Sequence, residues 1–461
     1  MRLALTSLCL LAASAAAQPT NPQQRLAHDV YKELVEINTV TTTGDTAAAA
    51  QAMAARLKAA GFPAEDIHVF TPAPRKGNLV ARLRGSGAKK PLLLVAHIDV
   101  VDAKREDWTT EPFKLVEKDG YYYGRGTGDD KFMAAAFVAN LIRYREEGYR
   151  PERDLVLVLE TDEEILDANG LGISWLIKHQ RPLIDADFAL NEGAGLGLKN
   201  GKPIRNGLQT SEKVYVNYRL EATNRGGHSS LPRRDNAIYQ LARGLAGLAT
   251  YEFPVQLNET TRVWLERAAA LEAPQTGADM RALAAGRADA AAIARLSANP
   301  AYNAQIRTTC VATLLEAGHA PNALPQSARA NVNCRVLPGA SLDEVQKTLE
   351  RLLGENEIGV TQVGNAVLSP PSPLRPDLMQ AIEKLTSEFW PGVPVIPSMS
   401  AGGTDGSYLR NAGIPTYGHS GLAGDVDDVR AHGKDERVAV KSFYDGLEYL
   451  YRLVKALSGG S

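Results

Sequence analysis

The sequence predicts an α/β fold, a mostly parallel sheet with helices on its faces, carrying a smaller inserted α+β module. Three observations lead there. Two apolar runs, Leu94-Val95-Ala96 and Leu155-Val156-Leu157-Val158-Leu159, read as buried parallel strands that end in His97-Ile98-Asp99 and Thr161-Asp162-Glu163-Glu164. Helix and strand patterns alternate from residue 24 to 208. The period then switches to two over 212–221 and returns to the α/β type after Pro370-Pro371-Ser372-Pro373. Ligands of such sheets bind beyond the carboxyl ends of the strands, so the acidic residues there mark the site.

The chain opens with Arg2, an apolar stretch over 3–11 and Ala15-Ala16-Ala17, the layout of a secretory signal with cleavage expected after Ala17. No second apolar segment approaches the ~20 residues of a membrane span, so a secreted or periplasmic address without a membrane partner is expected. Helices follow around Tyr31-Lys32-Glu33-Leu34-Val35 and over 50–60, then strands over 78–83 and 92–97. An Ala-rich helix over 133–145, a strand over 155–160, a helix over 173–179 and the strand-like Phe188-Ala189-Leu190 complete the first part of the α/β domain, residues 24–210.

Residues 211–366 read as the second module: a half-exposed strand over 212–221, a helix over 236–248, strands on both sides of Asn322, a helix over 342–353 and a strand over 358–363. An Ala-rich helical piece near 255–300 reads as an insertion within it. Helices over 379–389 and 440–456 and a strand over 393–397 return the chain to the first domain, residues 367–459. If the segments flanking Asn322 form a hairpin, Cys310 and Cys334 face each other; a cross-strand disulfide and two buried thiols are then equal alternatives.

Composition narrows the chemistry. The 461 residues are 44% hydrophobic and 23% charged, which is globular, and 51 basic residues dispersed among 53 acidic ones leave a net charge of -2. That balance offers no footprint for nucleic acid and favours a small-molecule or peptide partner. A Gly-x-Ser-x-Gly elbow with suitable partners is missing, which argues against serine chemistry.

The acidic strand ends and the turn Gly124-Arg125-Gly126-Thr127-Gly128-Asp129-Asp130-Lys131 point to metal. Asp129, Glu163, Glu164 and Glu192 converge near His97, and burying so many carboxylates without cations costs several kcal/mol each. Asp99 stands where it can take the other imidazole proton of His97.

The ordered motifs resemble the M20 family of co-catalytic zinc peptidases and amidohydrolases. They are Ala96-His97-Ile98-Asp99, the Tyr123 to Lys131 turn, Asp162-Glu163-Glu164, Asn191-Glu192-Gly193, Gly227-His228-Ser229-Ser230, Gly402-Gly403-Thr404-Asp405 and His432-Gly433-Lys434-Asp435-Glu436-Arg437. The resemblance implies two zinc ions bridged by Asp129, with His97 and Glu192 on one and Glu164 and His432 on the other. Glu163 is then the general base, and Asp99 the partner of His97. It also implies a cis peptide from Asp129 to Asp130 and a ferredoxin-like second module acting as lid and dimer contact. From that module His228 reaches an active site, often the partner subunit's, to polarise the scissile carbonyl. Asn322 and Arg335 hold substrate, a guanidinium fork suiting a carboxylate, with Gly403 and Thr404 adding backbone and hydroxyl contacts.

His28, His68, His179 and His319 are expected to be packing or surface residues, as are the aromatics Trp108 and Phe113, while His419 in Tyr417-Gly418-His419-Ser420 stays a weaker candidate for substrate. Phe132 after the lysine and Ile165-Leu166-Asp167 after the glutamates depart from the family pattern, altering the walls and not the ligands. The reading that follows is an exported di-zinc exopeptidase of the carboxypeptidase S branch, cleaving the amide next to a free carboxylate. Acylase action on N-acyl amino acids is the near alternative. A non-catalytic peptide- or metal-binding protein is the alternative of another class, and it should have lost the base or a ligand.

Overall fold

The computed structural model describes residues 21–165 and 168–460. The signal segment therefore lies outside the described residues, as do Leu166 and Asp167. The central sheet has eight strands in the spatial order Ile67–Ala73, Lys76–Leu83, Leu155–Glu160, Leu92–His97, Phe188–Lys199, Thr416–Asp425, Lys202–Glu212 and Val395–Ser400. Its middle is parallel: Leu92–His97 pairs with Leu155–Glu160 on one side and Phe188–Lys199 on the other, and Thr416–Asp425 continues the run. The flanks carry antiparallel pairs.

Every residue of Leu92–His97 and Leu155–Glu160 is buried, as expected for strands covered by helices on both faces. One face packs under the helices Pro22–Glu36, Thr46–Ala59, Lys131–Glu146, Pro376–Phe389 and Val440–Ser458 through residues such as Tyr31, Phe137 and Phe443. The other packs against Ile173, Leu176, Ile184 and Leu409. Asn21 starts the first helix by accepting the Gln24 amide at 2.8 Å, and Asp45 does the same for Ala48 in the second.

The second module has four antiparallel strands ordered Thr309–Ala317, Ser327–Val336, Val214–Thr223, Ile358–Val363, with the helices Ala237–Thr250 and Leu342–Gly354 on one face. In chain order this is strand, helix, strand, strand, helix, strand, with the first strand central: the ferredoxin-like arrangement. Cys310 lies directly opposite Cys334 in the ladder, and the two form a disulfide. Among the described residues no helix is long and apolar enough to cross a membrane.

Several strands escape the sequence patterns, Thr416–Asp425 among them, and two show why. Ile67–Ala73 is a half-exposed edge, and Lys202–Glu212 buries Asn206, Gln209, Thr210 and Glu212, polar residues that hide a strand from a hydrophobicity reading. The helical insertion, which in chain order lies within the second module, packs on the edge of the central sheet. Its helices run from Glu259–Ala268 to Pro300–Ile306, and its core takes in Ile396 of the edge strand. Arg267 donates to the Val395 carbonyl and Gln305 to the Met399 carbonyl, each at 2.8 Å, satisfying groups that an open sheet edge would leave unpaired.

Candidate active site

Three adjacent parallel strands deliver their carboxyl ends to one edge, bringing His97, the turn Glu163–Ile165 and Glu192 together. The bend at Asp162, whose φ is 70°, takes Glu163 and Glu164 out of strand geometry, so their side chains do not point to opposite faces. Asp129 arrives from the glycine-rich turn before the helix Lys131–Glu146. Gly126 in that turn has φ 83°, and a Cβ there would meet Val100 Cγ1 at 2.7 Å, so the sequence needs glycine at this point. The Asp129–Asp130 peptide is cis.

The carboxylate of Asp129 is shared. Its Oδ1 lies 3.0 Å from His97 Nε2 and its Oδ2 3.2 Å from His432 Nε2. His432 Nε2 also lies 2.8 Å from Glu164 Oε2, and His97 Nε2 lies 3.9 Å from Glu192 Oε2. Donor atoms of His97, Asp129 and Glu164 fall within 4.8 Å of one another, and so do those of His97, Glu163 and Glu192. Two imidazoles and several carboxylates converging from different elements form a nitrogen and oxygen donor set that fits divalent metal ions.

Electrostatics agree with that fit. Burial, then the repulsion of Glu192, pushes Glu163 well above the usual carboxylate range. Burial takes Glu192 up to about 8, with Asp129 adding to the effect and His97 opposing it. Hydrogen bonds to Asp129 and Glu164 raise His432 to about 10. Such crowded acids are destabilising without compensating positive charge.

Asp99 does more than its spacing suggests. The ring proton side of His97, Nδ1, lies 3.0 Å from the Asp99 carbonyl oxygen and 3.6 Å from its carboxylate. Besides facing His97, the carboxylate accepts the backbone amides of Glu163 and Glu164, both at 3.2 Å. It is a brace for the turn that carries the two glutamates. Glu436 plays the matching part for the glycine-rich turn, accepting the amides of Gly126, Gly128 and Asp129 at 3.0, 2.7 and 3.2 Å and pairing with buried Arg125 at 2.7 Å. The sequence offers no local signal for this role, since Glu436 lies about three hundred residues from the turn it holds.

The residues expected to hold substrate divide into two groups. His228 and Asn322 are brought together: Gly227–His228 pairs with Ala323–Leu324, and the Ser229 amide donates to the Asn322 carbonyl at 3.0 Å. Gly227 and His228 are exposed, and Ser230 holds the His228 ring at Nδ1 through its hydroxyl at 2.7 Å and its amide at 3.1 Å. Among the described residues no hydrogen bond or ion pair links the ribbon to the carboxylate cluster. Arg335 sits over the Tyr215 ring and donates to the Ala401 carbonyl at 3.1 Å, which ties it to the loop of Gly402 and Gly403.

Thr404 departs from expectation. Its hydroxyl and amide both donate to buried Glu212, at 2.6 and 2.8 Å, and Glu212 also pairs with buried Arg410 at 2.8 Å. The hydroxyl is therefore part of the scaffold under the loop. His419 is corrected likewise: it is fully buried between the Gly207 carbonyl at 2.6 Å and the Tyr449 hydroxyl at 2.8 Å. His28 and His179 pack on Tyr122 and Trp175.

Residues 93–456 match the family described as Peptidase family M20/M25/M40. A probable carboxypeptidase S-like protein of Dictyostelium discoideum is 28% identical over 379 residues, covering 79% of this chain and 71% of the relative. An N-fatty-acyl-amino acid synthase/hydrolase of Homo sapiens is 29% identical over 374 residues, covering 79% and 74%. Among solved structures, an M20 family metallo-carboxypeptidase from Sulfolobus solfataricus shares the fold with a TM-score of 0.69 at 19% identity, over 93% of this chain and 98% of that one.

Proposed function

The chain belongs to peptidase family M20/M25/M40 and is a hydrolase of peptide or amide bonds, and we propose that it is a di-zinc exopeptidase of carboxypeptidase type that cleaves the amide bond next to a free carboxylate in short peptides. The observation that carries this reading is the shared carboxylate of Asp129, one oxygen facing His97 and the other His432. His97 and Glu192 would hold one ion and His432 and Glu164 the other, with Asp129 between them. The ions would supply the positive charge that acidifies a water molecule and polarises the scissile carbonyl.

This chain's own residues do the rest. Glu163, buried beside the cluster, takes the proton from water and returns it to the leaving amine. Asp99 fixes the turn on which Glu163 and Glu164 divide base and ligand roles. His228, itself exposed, stabilises the developing oxyanion once the second module closes or a partner's module docks. Arg335 presents a guanidinium to the substrate carboxylate, Asn322 adds an amide beside His228, and Gly403 adds backbone contacts on the loop that Arg335 touches.

The second module supports a homodimer. Its edge strand Thr309–Ala317 exposes Val311, Leu314 and Leu315, each at least 60% exposed, next to an unpaired ladder, a surface that a second copy would cover. Export through the amino-terminal signal completes the reading, and the disulfide suits an oxidising compartment.

Acylase action on N-acyl amino acids is the second reading, supported by the relative named for that chemistry. The test is release of a C-terminal amino acid from a blocked dipeptide, a free dipeptide and an N-acyl amino acid. Faster release from peptides supports the exopeptidase; faster release from the acyl compound supports the acylase. Retention of peptide or metal without turnover of any of the three would make it a binding protein.

A further inference from the structure

Lys213 is the single residue between Lys202–Glu212 of the central sheet and Val214–Thr223 of the second module, and it is 2% exposed. Its backbone amide donates to the Ser400 carbonyl at 2.9 Å. Its ammonium donates to the Arg307 carbonyl at 2.7 Å and to the Thr309 hydroxyl at 3.3 Å, where the chain crosses from the helical insertion into the strand Thr309–Ala317. Both acceptors are neutral, and an ammonium buried without a carboxylate is costly. Glu212, its neighbour in the chain, is committed to Arg410, and Glu252 is committed to Arg307. Among the described residues no carboxylate pairs with Lys213, and the charge that acts on it, Arg335, has the same sign. Burial, then that repulsion, pushes the ammonium down to about 7.

The surroundings of Lys213 explain why a cation stands there. Thr309 and Arg335 are direct partners in the ladder, as are Arg335 and Tyr215, so their side chains share the sheet face turned away from the helices. Lys213, bonded to Thr309, therefore adjoins the row that carries the guanidinium assigned above to the substrate carboxylate. The Thr309 hydroxyl accepts from the ammonium and keeps its own proton to donate. We infer that the Thr309 hydroxyl is a second contact for the substrate carboxylate beside Arg335, and that Lys213 is the positioning residue that orients this hydroxyl and adds positive charge to that end of the site. The inference rests on the hydrolase reading of the carboxylate centre and deepens it. A bound carboxylate would supply the counter-charge that Lys213 lacks, in surroundings where such an attraction is stronger than in water.

The experiment compares an N-acetyl amino acid with its C-terminal primary amide, measuring kcat and KM for the metal-loaded enzyme and for Lys213→Met and Thr309→Val. Methionine keeps most of the length of the side chain without its charge, and valine keeps the shape of threonine without its hydroxyl. The ratio of kcat/KM for the acid to that for the amide should fall about tenfold or more in Lys213→Met and about threefold or more in Thr309→Val, through a higher KM for the acid. A tie that merely holds the crossing together would lower both compounds alike and leave the ratio unchanged. If Lys213→Met does not fold, Thr309→Val, which alters a half-buried hydroxyl, decides the matter by the same ratio. An unchanged ratio in the folded variants, with wild-type turnover abolished by chelator, would overturn the inference and leave the hydrolase reading standing. Wild-type protein that turns over neither compound nor a dipeptide would overturn both.

Discussion

The carboxylate of Asp99 accepts the backbone amide of Glu163 at 3.2 Å, and that one contact connects two strand ends of the site. It fixes the base without touching its side chain, and the neighbouring bond to Glu164 fixes a ligand by the same means. Replacing Asp99 by Asn keeps the shape and removes the full negative charge that attracts both amides. We expect kcat to fall about 10- to 100-fold with KM little changed, measured on the preferred substrate. An unchanged kcat would remove Asp99 from the account.

Glu163→Gln should reduce turnover at least about 1000-fold while metal content stays at the wild-type level, because the amide keeps the volume and loses the proton acceptor. Elemental analysis of the same preparation separates loss of a base from loss of a ligand. Wild-type turnover in this variant would reassign the base.

The Glu212–Arg410 pair is buried on both sides and holds the loop of Thr404. Glu212→Ala leaves a guanidinium uncompensated inside the protein, at a cost of about 3–5 kcal/mol. Denaturant unfolding should show that loss at neutral pH. A change below about 1 kcal/mol would mean the loop is held by other contacts.

His419 gives a pH signature. Burial lowers it from 6.5 to about 4, with the bond to the Gly207 carbonyl opposing. The unfolded chain then binds the proton more readily than the folded one between those values. The stabilising contribution is full above about pH 6.5 and is lost as pH falls toward 4, by up to about 3 kcal/mol. In His419→Gln, unfolding free energy should lose that segment of its pH slope; an identical slope would show that other groups carry the acid sensitivity.

Much of this architecture was legible in the residues. The apolar runs ending at His97 and Glu160 are long, fully buried and bounded by acids, and the structure places them side by side. The facing of Cys310 and Cys334 followed from a hairpin register that the structure contains. What stayed hidden involves contacts between distant segments. Asp99 reads as an imidazole partner by spacing, and its second engagement, with amides more than sixty residues on, has no local signal. Thr404 reads as a substrate contact until Glu212 is placed beneath it. The docking side of the helical insertion depends on Ile396, which no local periodicity connects to Leu265 and Met280.

The edge strand makes a separate prediction. Leu314→Arg puts a charge on the exposed apolar face, and the enzyme should shift from dimer to monomer in sedimentation analysis. If His228 serves the partner's site, turnover should fall along with the dimer fraction. A wild-type protein that is monomeric and fully active would contradict both the dimer and the shared histidine.

Whether Asp129 joins two metal ions between His97 and His432 is tested most directly by metal content from elemental analysis, with turnover before and after chelation. About two zinc equivalents per chain are expected, with loss of turnover on chelation and its return when zinc is added back. A protein that holds no metal and still hydrolyses its substrate in the presence of chelator would contradict the bridging role of Asp129.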